Sequence, residues 1–301
     1  MATIFEQVLM LFLFAATGFT LAKLGVVKKE HAKVLSQLLV YVFLPCSVMK
    51  TYTGNFTVSY IKENASMLLV SSIVIIIIAI LAHFGAKLFA EKGYTRKVYE
   101  YALAIPNLGY MGYPMAERLM GSAGMMNAMV FALPISMLYI NSIGFCNLTK
   151  RKFTLKNLIN PAFVPVVIGA ILGLSQLKLP NVFYSVFNTG NSCMGPTSML
   201  MAGIVVSEFN IKPLLTNVRA YIVVALRLVI IPIVVGLSLS WLPNPEIAKI
   251  AVLLYAMPCG LNTIVFPKLV DENCELGASF PFLSNILACI TIPVVLSLFG
   301  I

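Results

Sequence analysis

The run Ala102-Leu103-Ala104-Ile105-Pro106-Asn107-Leu108-Gly109-Tyr110-Met111-Gly112-Tyr113-Pro114 is apolar enough to lie in a bilayer, yet it cannot form one uninterrupted helix. Proline lacks a backbone donor and clashes with the preceding turn, and glycine weakens a helix further, so the run is expected to unwind near its middle. A second stretch, Tyr255-Ala256-Met257-Pro258-Cys259-Gly260-Leu261-Asn262-Thr263, has the same character. Backbone N–H and C=O groups freed by such breaks cannot face lipid. They must line a protein-enclosed cavity, into which half-helix N-termini point partial positive charge. A simple proline kink explains either stretch alone. The matching place of the two stretches along the chain, and an asparagine beside each break (Asn107 and Asn262), favour a binding site. An asparagine amide offers two donors and an acceptor without charge, which suits a carboxylate or another small polar ligand.

The surrounding sequence supplies the membrane. Of 301 residues, 59% are hydrophobic and 11% charged, with a mean hydropathy of +0.93; a soluble domain has about a quarter of its residues charged. Ten windows of about 20 apolar residues, the length needed to span a bilayer, fit between charged or turn residues. They cover 8–27, 34–52, 66–89, 98–120, 125–147, 163–177, 182–206, 217–241, 247–270 and 276–299. The connections are short, so no appended soluble domain is expected. Glu6 in place of a basic leader segment argues against a cleaved signal in the first window.

The formal charge of +10 could suggest nucleic acid, but the basic residues lie between apolar runs and form no aromatic-interleaved basic face. Membrane orientation accounts for them better. Odd-numbered connections, including Lys29 and Lys156, hold 15 Lys and Arg against 5 in the even-numbered ones. This places both termini on the non-cytoplasmic side of a multi-pass plasma (inner) membrane protein. The six cysteines are scattered without CxxC spacing and read as reduced packing residues. No cofactor or metal is expected. The absence of HExxH, GxSxG and paired aspartates argues against an intramembrane enzyme.

The chain also repeats itself. Pro45-Cys46-Ser47 echoes Pro196-Thr197-Ser198 at an offset of 151, Ala104-Ile105-Pro106 echoes Ala256-Met257-Pro258 at 152, and Pro114 echoes Pro267 at 153. These matches join the second window to the seventh and the fourth to the ninth. The expected fold is therefore an all-α membrane protein of ten helices, written as a five-helix unit over residues 1–150 and a second over 151–301. An odd number of spans inverts the second unit, and inverted repeats characterise secondary transporters working by alternating access.

Charge at depth suggests the ligand's sign. The sole aspartate, Asp271, ends a window, and every glutamate, Glu117 included, reads as lying in or near a loop or window end. No carboxylate is thus expected at mid-membrane, whereas Arg227 lies halfway along the eighth window. A buried cation, helix N-termini and amides together favour an anion. His83 reads as a packed residue or a proton relay. Gly169 and Gly173 form a GxxxG that permits close packing or a homodimer. Pro45 with Ser47, and Pro196 with Ser198, read as helix bends or as part of the wall opposite the site.

With Pro106-Asn107 through Met111-Gly112-Tyr113-Pro114, Ala256-Met257-Pro258 with Asn262-Thr263, and Arg227 with Pro232, the chain resembles the auxin efflux carrier family along essentially all ten windows. The resemblance implies a scaffold of spans 1, 2, 6 and 7 and a transport unit of the other six, moving as an elevator with broken helices 4 and 9 crossed. It implies ligand contacts at Asn107 and Asn262. Around them, Thr263 and the backbone near Pro106, Gly109, Pro258 and Gly260 are the remaining candidates. Arg227 would set a positive potential or brace the crossover. The short connection 147–161 resembles compact prokaryotic members, pointing to small carboxylates such as malate or malonate, or other auxin-like acids, rather than to auxin itself. A channel or sensor on the same fold, or sodium coupling, stays open at this stage, as does coupling to a proton or a second anion.

Overall fold

The computed structural model describes residues 2–28, 30–154 and 163–301. Lys29 and Lys156 of the charge count, and residues 155–161 of the central connection, lie outside them. The described chain is helical throughout: α1 (Ala2–Lys23), α2 (His31–Asn55), α3 (Val58–Ala86), α4 (Tyr94–Ala104), α5 (Leu108–Thr149), α6 (Phe163–Ser175), α7 (Asn181–Ser207), α8 (Val218–Leu239), α9 (Pro245–Tyr255), α10 (Asn262–Lys268) and α11 (Glu275–Leu298). Six of these, α1, α2, α3, α5, α8 and α11, are long and apolar enough to cross a bilayer. A short helix, Ile211–Thr216, precedes α8.

Several ends differ from the sequence expectation for local reasons. α3 starts at Val58 instead of Ser66 because the Thr57 hydroxyl accepts the Tyr60 N–H at 3.0 Å and caps it. α4 starts at Tyr94 instead of Val98, which draws Glu100 into the packed part of a helix. The second part of the expected fourth window, from Leu108, runs on into the fifth within α5, interrupted at Gly121, whose φ of 71° turns the chain.

The helices sort into two packing groups. In one, α7 packs along α1 and α2, and α2 along α6; in the other, α3, α4 and α5 pack together with α8 to α11. The groups meet where α11 touches α1 and where α5 touches α2 and α7. At that second seam Glu117 of α5 pairs with Lys50 of α2 and accepts the Asn191 Nδ2–H of α7 at 2.8 Å. Ser47 donates to Asn191 Oδ1 at 2.7 Å, and Ser198 to the Tyr110 carbonyl at 3.0 Å. The hydroxyls after Pro45 and Pro196 thus tie helices together.

Small residues set how closely α1 and α7 approach. A Cβ on Gly203 would lie 1.9 Å from the Ala15 carbonyl oxygen and 2.6 Å from the Phe19 nitrogen. Gly169 and Gly173 serve the same purpose inside the chain: a Cβ on either would strike Tyr52 of α2, at 2.9 and 2.6 Å. The GxxxG is therefore occupied by α2 of its own chain, which removes the expected dimer face at this motif. Gly203→Ala should lower stability by about 1–3 kcal/mol, because backbone cannot yield and the helices must part. Gly54→Ala, with nothing within 4 Å of its added Cβ, should not. Thermal unfolding of both variants in detergent checks this, and an unchanged Gly203→Ala midpoint would refute the tight seam.

Candidate functional site: a crossover cavity

α4 ends where its sequence says it must. Pro106 excludes its predecessor from the helical region, and Ile105 is extended, with φ −115° and ψ 118°. α9 stops at Tyr255, ahead of Pro258. The two unwound segments then cross as an isolated antiparallel bridge between Pro106 and Cys259. Asn107 N–H donates to the Pro258 carbonyl at 2.7 Å, and Gly260 N–H to the Ile105 carbonyl at 3.5 Å. Each break thereby satisfies part of the backbone that the other frees. Gly112 lets α9 come close: a Cβ there would lie 2.9 Å from Leu254 Cδ2.

A cavity of about 330 Å³ opens beside the bridge. One wall is Ile105 to Tyr110, the other Gly260 to Asn262, and α2, α5, α6 and α7 complete it. Asn107 is 4% exposed, and its Nδ2 has no hydrogen-bond partner among the described residues. Asn262 donates one N–H to the Tyr101 hydroxyl at 2.8 Å, which orients its amide and leaves a second donor. Gly109 presents bare backbone, with nothing within 4 Å of an added Cβ. It lies in the first turn of α5, whose N–H groups lack partners within the helix and carry its positive dipole end. Among the described residues no Lys, Arg, His, Asp or Glu lines the cavity; away from the bridge the wall is mainly aliphatic and aromatic.

The family model described as membrane transport protein matches residues 3–151 and 145–296, so between them it spans nearly the whole chain. The chain belongs to this family. It is the auxin efflux carrier family to which the crossover motifs pointed. The chain is also 26% identical, over 300 residues, to an uncharacterized transporter of Methanocaldococcus jannaschii, covering 95% of this chain and 96% of that one.

In this membrane transport protein, Asn107, Asn262, Pro106, Gly109 and Gly260 come together on the cavity wall, while Pro258, Thr263 and Arg227 do not reach it. The Pro258 carbonyl is taken by Asn107. Thr263 is fully buried and donates to the carbonyls of Gly277, at 2.8 Å, and Gly260, at 3.1 Å, so it clamps α10 to α11. Arg227 is fully buried in α8 behind the crossover, its guanidinium 5.3 Å from the centre of the Tyr255 ring and without a hydrogen-bond partner among the described residues. It can act on the cavity through the field of its charge, which a low-dielectric interior screens little, rather than by contact.

Sequence reasoning missed three groups of the transport protein. Tyr52 lines the cavity with a buried, unpartnered hydroxyl, and Asn141 of α5 lines it too; an asparagine deep in an apolar window was the available signal for the second. The third is Glu100, near the start of the fourth window as expected but buried to 7% exposure, which the sequence reading did not anticipate. Its distance of five residues from the break at Ile105 was legible; its burial required α4 to begin at Tyr94.

Proposed function

We propose that the protein is a secondary carrier of small organic monoanions, binding one carboxylate at the crossover and an apolar body against the remaining wall. The observation that carries this is the distribution of polarity in the cavity. At the bridge the donors are Asn107, Asn262 and the first turn of α5; the remaining wall adds uncharged polar groups at Tyr52, Ser136 and Asn141, and among the described residues no cationic side chain lines it. Amide and backbone donors with the field of Arg227 suit one negative charge. A second carboxylate, as in malate or malonate, would meet a mainly aliphatic and aromatic wall with no cation among the described residues to pair with, and desolvating an unpaired charge there is costly. Benzoate- or phenylacetate-like acids fit this chemistry better than dicarboxylates.

The carrier mechanism in this reading is alternating access between ten spans arranged as two inverted repeats, with both termini non-cytoplasmic in a plasma (inner) membrane. The two packing groups support an elevator: α1, α2, α6 and α7 as the scaffold, the rest as the moving unit that holds the crossover. The seam joined by Lys50, Glu117 and Asn191 lies between them.

The test is counterflow of labelled phenylacetate, benzoate, malate and malonate in proteoliposomes, measured above protein-free vesicles, alongside ligand-dependent thermal stabilisation. The monocarboxylates should exchange and stabilise the protein, and the dicarboxylates should do neither. Exchange of dicarboxylates alone would reverse the assignment of one charge, and exchange of none would remove the carrier reading.

A further inference from the structure

Resting on that carrier reading, we propose that His83, Glu100 and Tyr139 form a proton-binding site that couples proton movement to substrate movement. Glu100 stands five residues before Ile105 on α4, about 8 Å along the helix axis from the break. It is 7% exposed. Its Oε2 lies 3.2 Å from His83 Nδ1 of α3, and the Tyr139 side chain of α5 hydrogen-bonds to it.

Among the described residues no lysine or arginine is bonded to this cluster. Among the described residues, the ion-pair partner of Glu100 is His83. Several nearby cations are engaged elsewhere: Lys87, just past α3, lies over the Phe84 ring, Arg96 of α4 donates to the Glu91 carbonyl at 3.0 Å, Arg219 of α8 donates to the Phe89 carbonyl at 3.0 Å, Arg227 faces Tyr255, and Lys268 of α10 pairs with Glu208. No ionisable side chain of α9 or α11 is bonded to Glu100 among the described residues. A buried carboxylate with no fixed cation is costly to keep ionised, and a proton removes the cost. His83 supplies that proton and an outer face, since its side chain is 45% exposed near the end of α3.

The step balances with one proton. It enters from water at the imidazole, passes from Nδ1 to Glu100 Oε2, turns the carboxylate into a carboxylic acid, and leaves by the same route once the unit has moved. No other bond forms or breaks. Tyr139 donates to the carboxylate and can accept from the acid.

The cluster is joined to the ligand site by packed side chains. The Tyr139 ring lies 6.0 Å from that of Tyr101, whose hydroxyl accepts from Asn262. Both sites lie in the same packing group and would travel together. One proton with one monoanion makes the loaded unit electroneutral, which favours its passage through a low-dielectric surround.

Two measurements on the full chain test this. The first needs no substrate: pH-difference infrared spectroscopy should show a carboxylic-acid C=O band growing in as the pH is lowered. That band should be absent in Glu100→Gln and restored in Glu100→Asp. The second compares phenylacetate exchange with net efflux into substrate-free medium. Glu100→Gln should keep exchange and lose the pH dependence of net efflux, and Glu100→Asp should recover it. A band intact in Glu100→Gln, or wild-type pH dependence of its net efflux, overturns the proton site. Failure of the wild type to exchange any of the four acids overturns the carrier reading instead, and the infrared band then decides the proton site alone.

Discussion

Asn107→Ala is expected to slow phenylacetate counterflow by about 10- to 100-fold, the loss that follows from removing a hydrogen bond to a charged group. The fold should survive, because Asn107 Nδ2 has no protein partner to strand and the bridge to Pro258 runs through the backbone N–H. Asn262→Ala should give a similar loss of transport and a lower unfolding midpoint, since it also leaves the buried Tyr101 hydroxyl without its amide. Initial counterflow rates and thermal midpoints on the same preparations separate the two effects. Wild-type rates in both variants would remove these asparagines from the site.

Arg227→Met should divide stability from function. Its guanidinium is buried without a hydrogen-bond partner among the described residues, so a methionine of similar volume should leave the unfolding midpoint unchanged or raise it. Counterflow should nevertheless fall roughly 10-fold, the equivalent of about 1.4 kcal/mol of positive potential withdrawn from the cavity. A lowered midpoint would show that Arg227 braces the crossover mechanically. Undiminished counterflow would show that its charge is not felt by the ligand.

The parts of the site visible in the sequence were those fixed by local chemistry. Pro106 and Pro258 must break helices wherever they are placed, and an asparagine after each break signals polarity at depth. The composition and the window pattern likewise led directly to an all-helical membrane protein. Rotational phase was not legible. Thr263 sits one residue after Asn262 yet turns about 100° around the helix into α11, where Gly277 makes room for it. Arg227 sits near the middle of α8 but behind the crossover, because α8 packs against α9. Tyr52 meets the cavity through the tertiary approach of α2 to the glycines of α6. Such facts are set by which helices touch, and a single helix's pattern does not encode them.

The Pro106–Cys259 bridge also limits how a bound molecule can be let go. The two asparagine-bearing segments are stitched to each other by main-chain bonds, so they cannot spread like jaws to free a cargo. In the carrier reading, release would run past walls not bonded to the bridge, among them Val48 and Tyr52 of α2 and Met194 of α7. In that reading grip and gate belong to different helices, and tightening one need not jam the other.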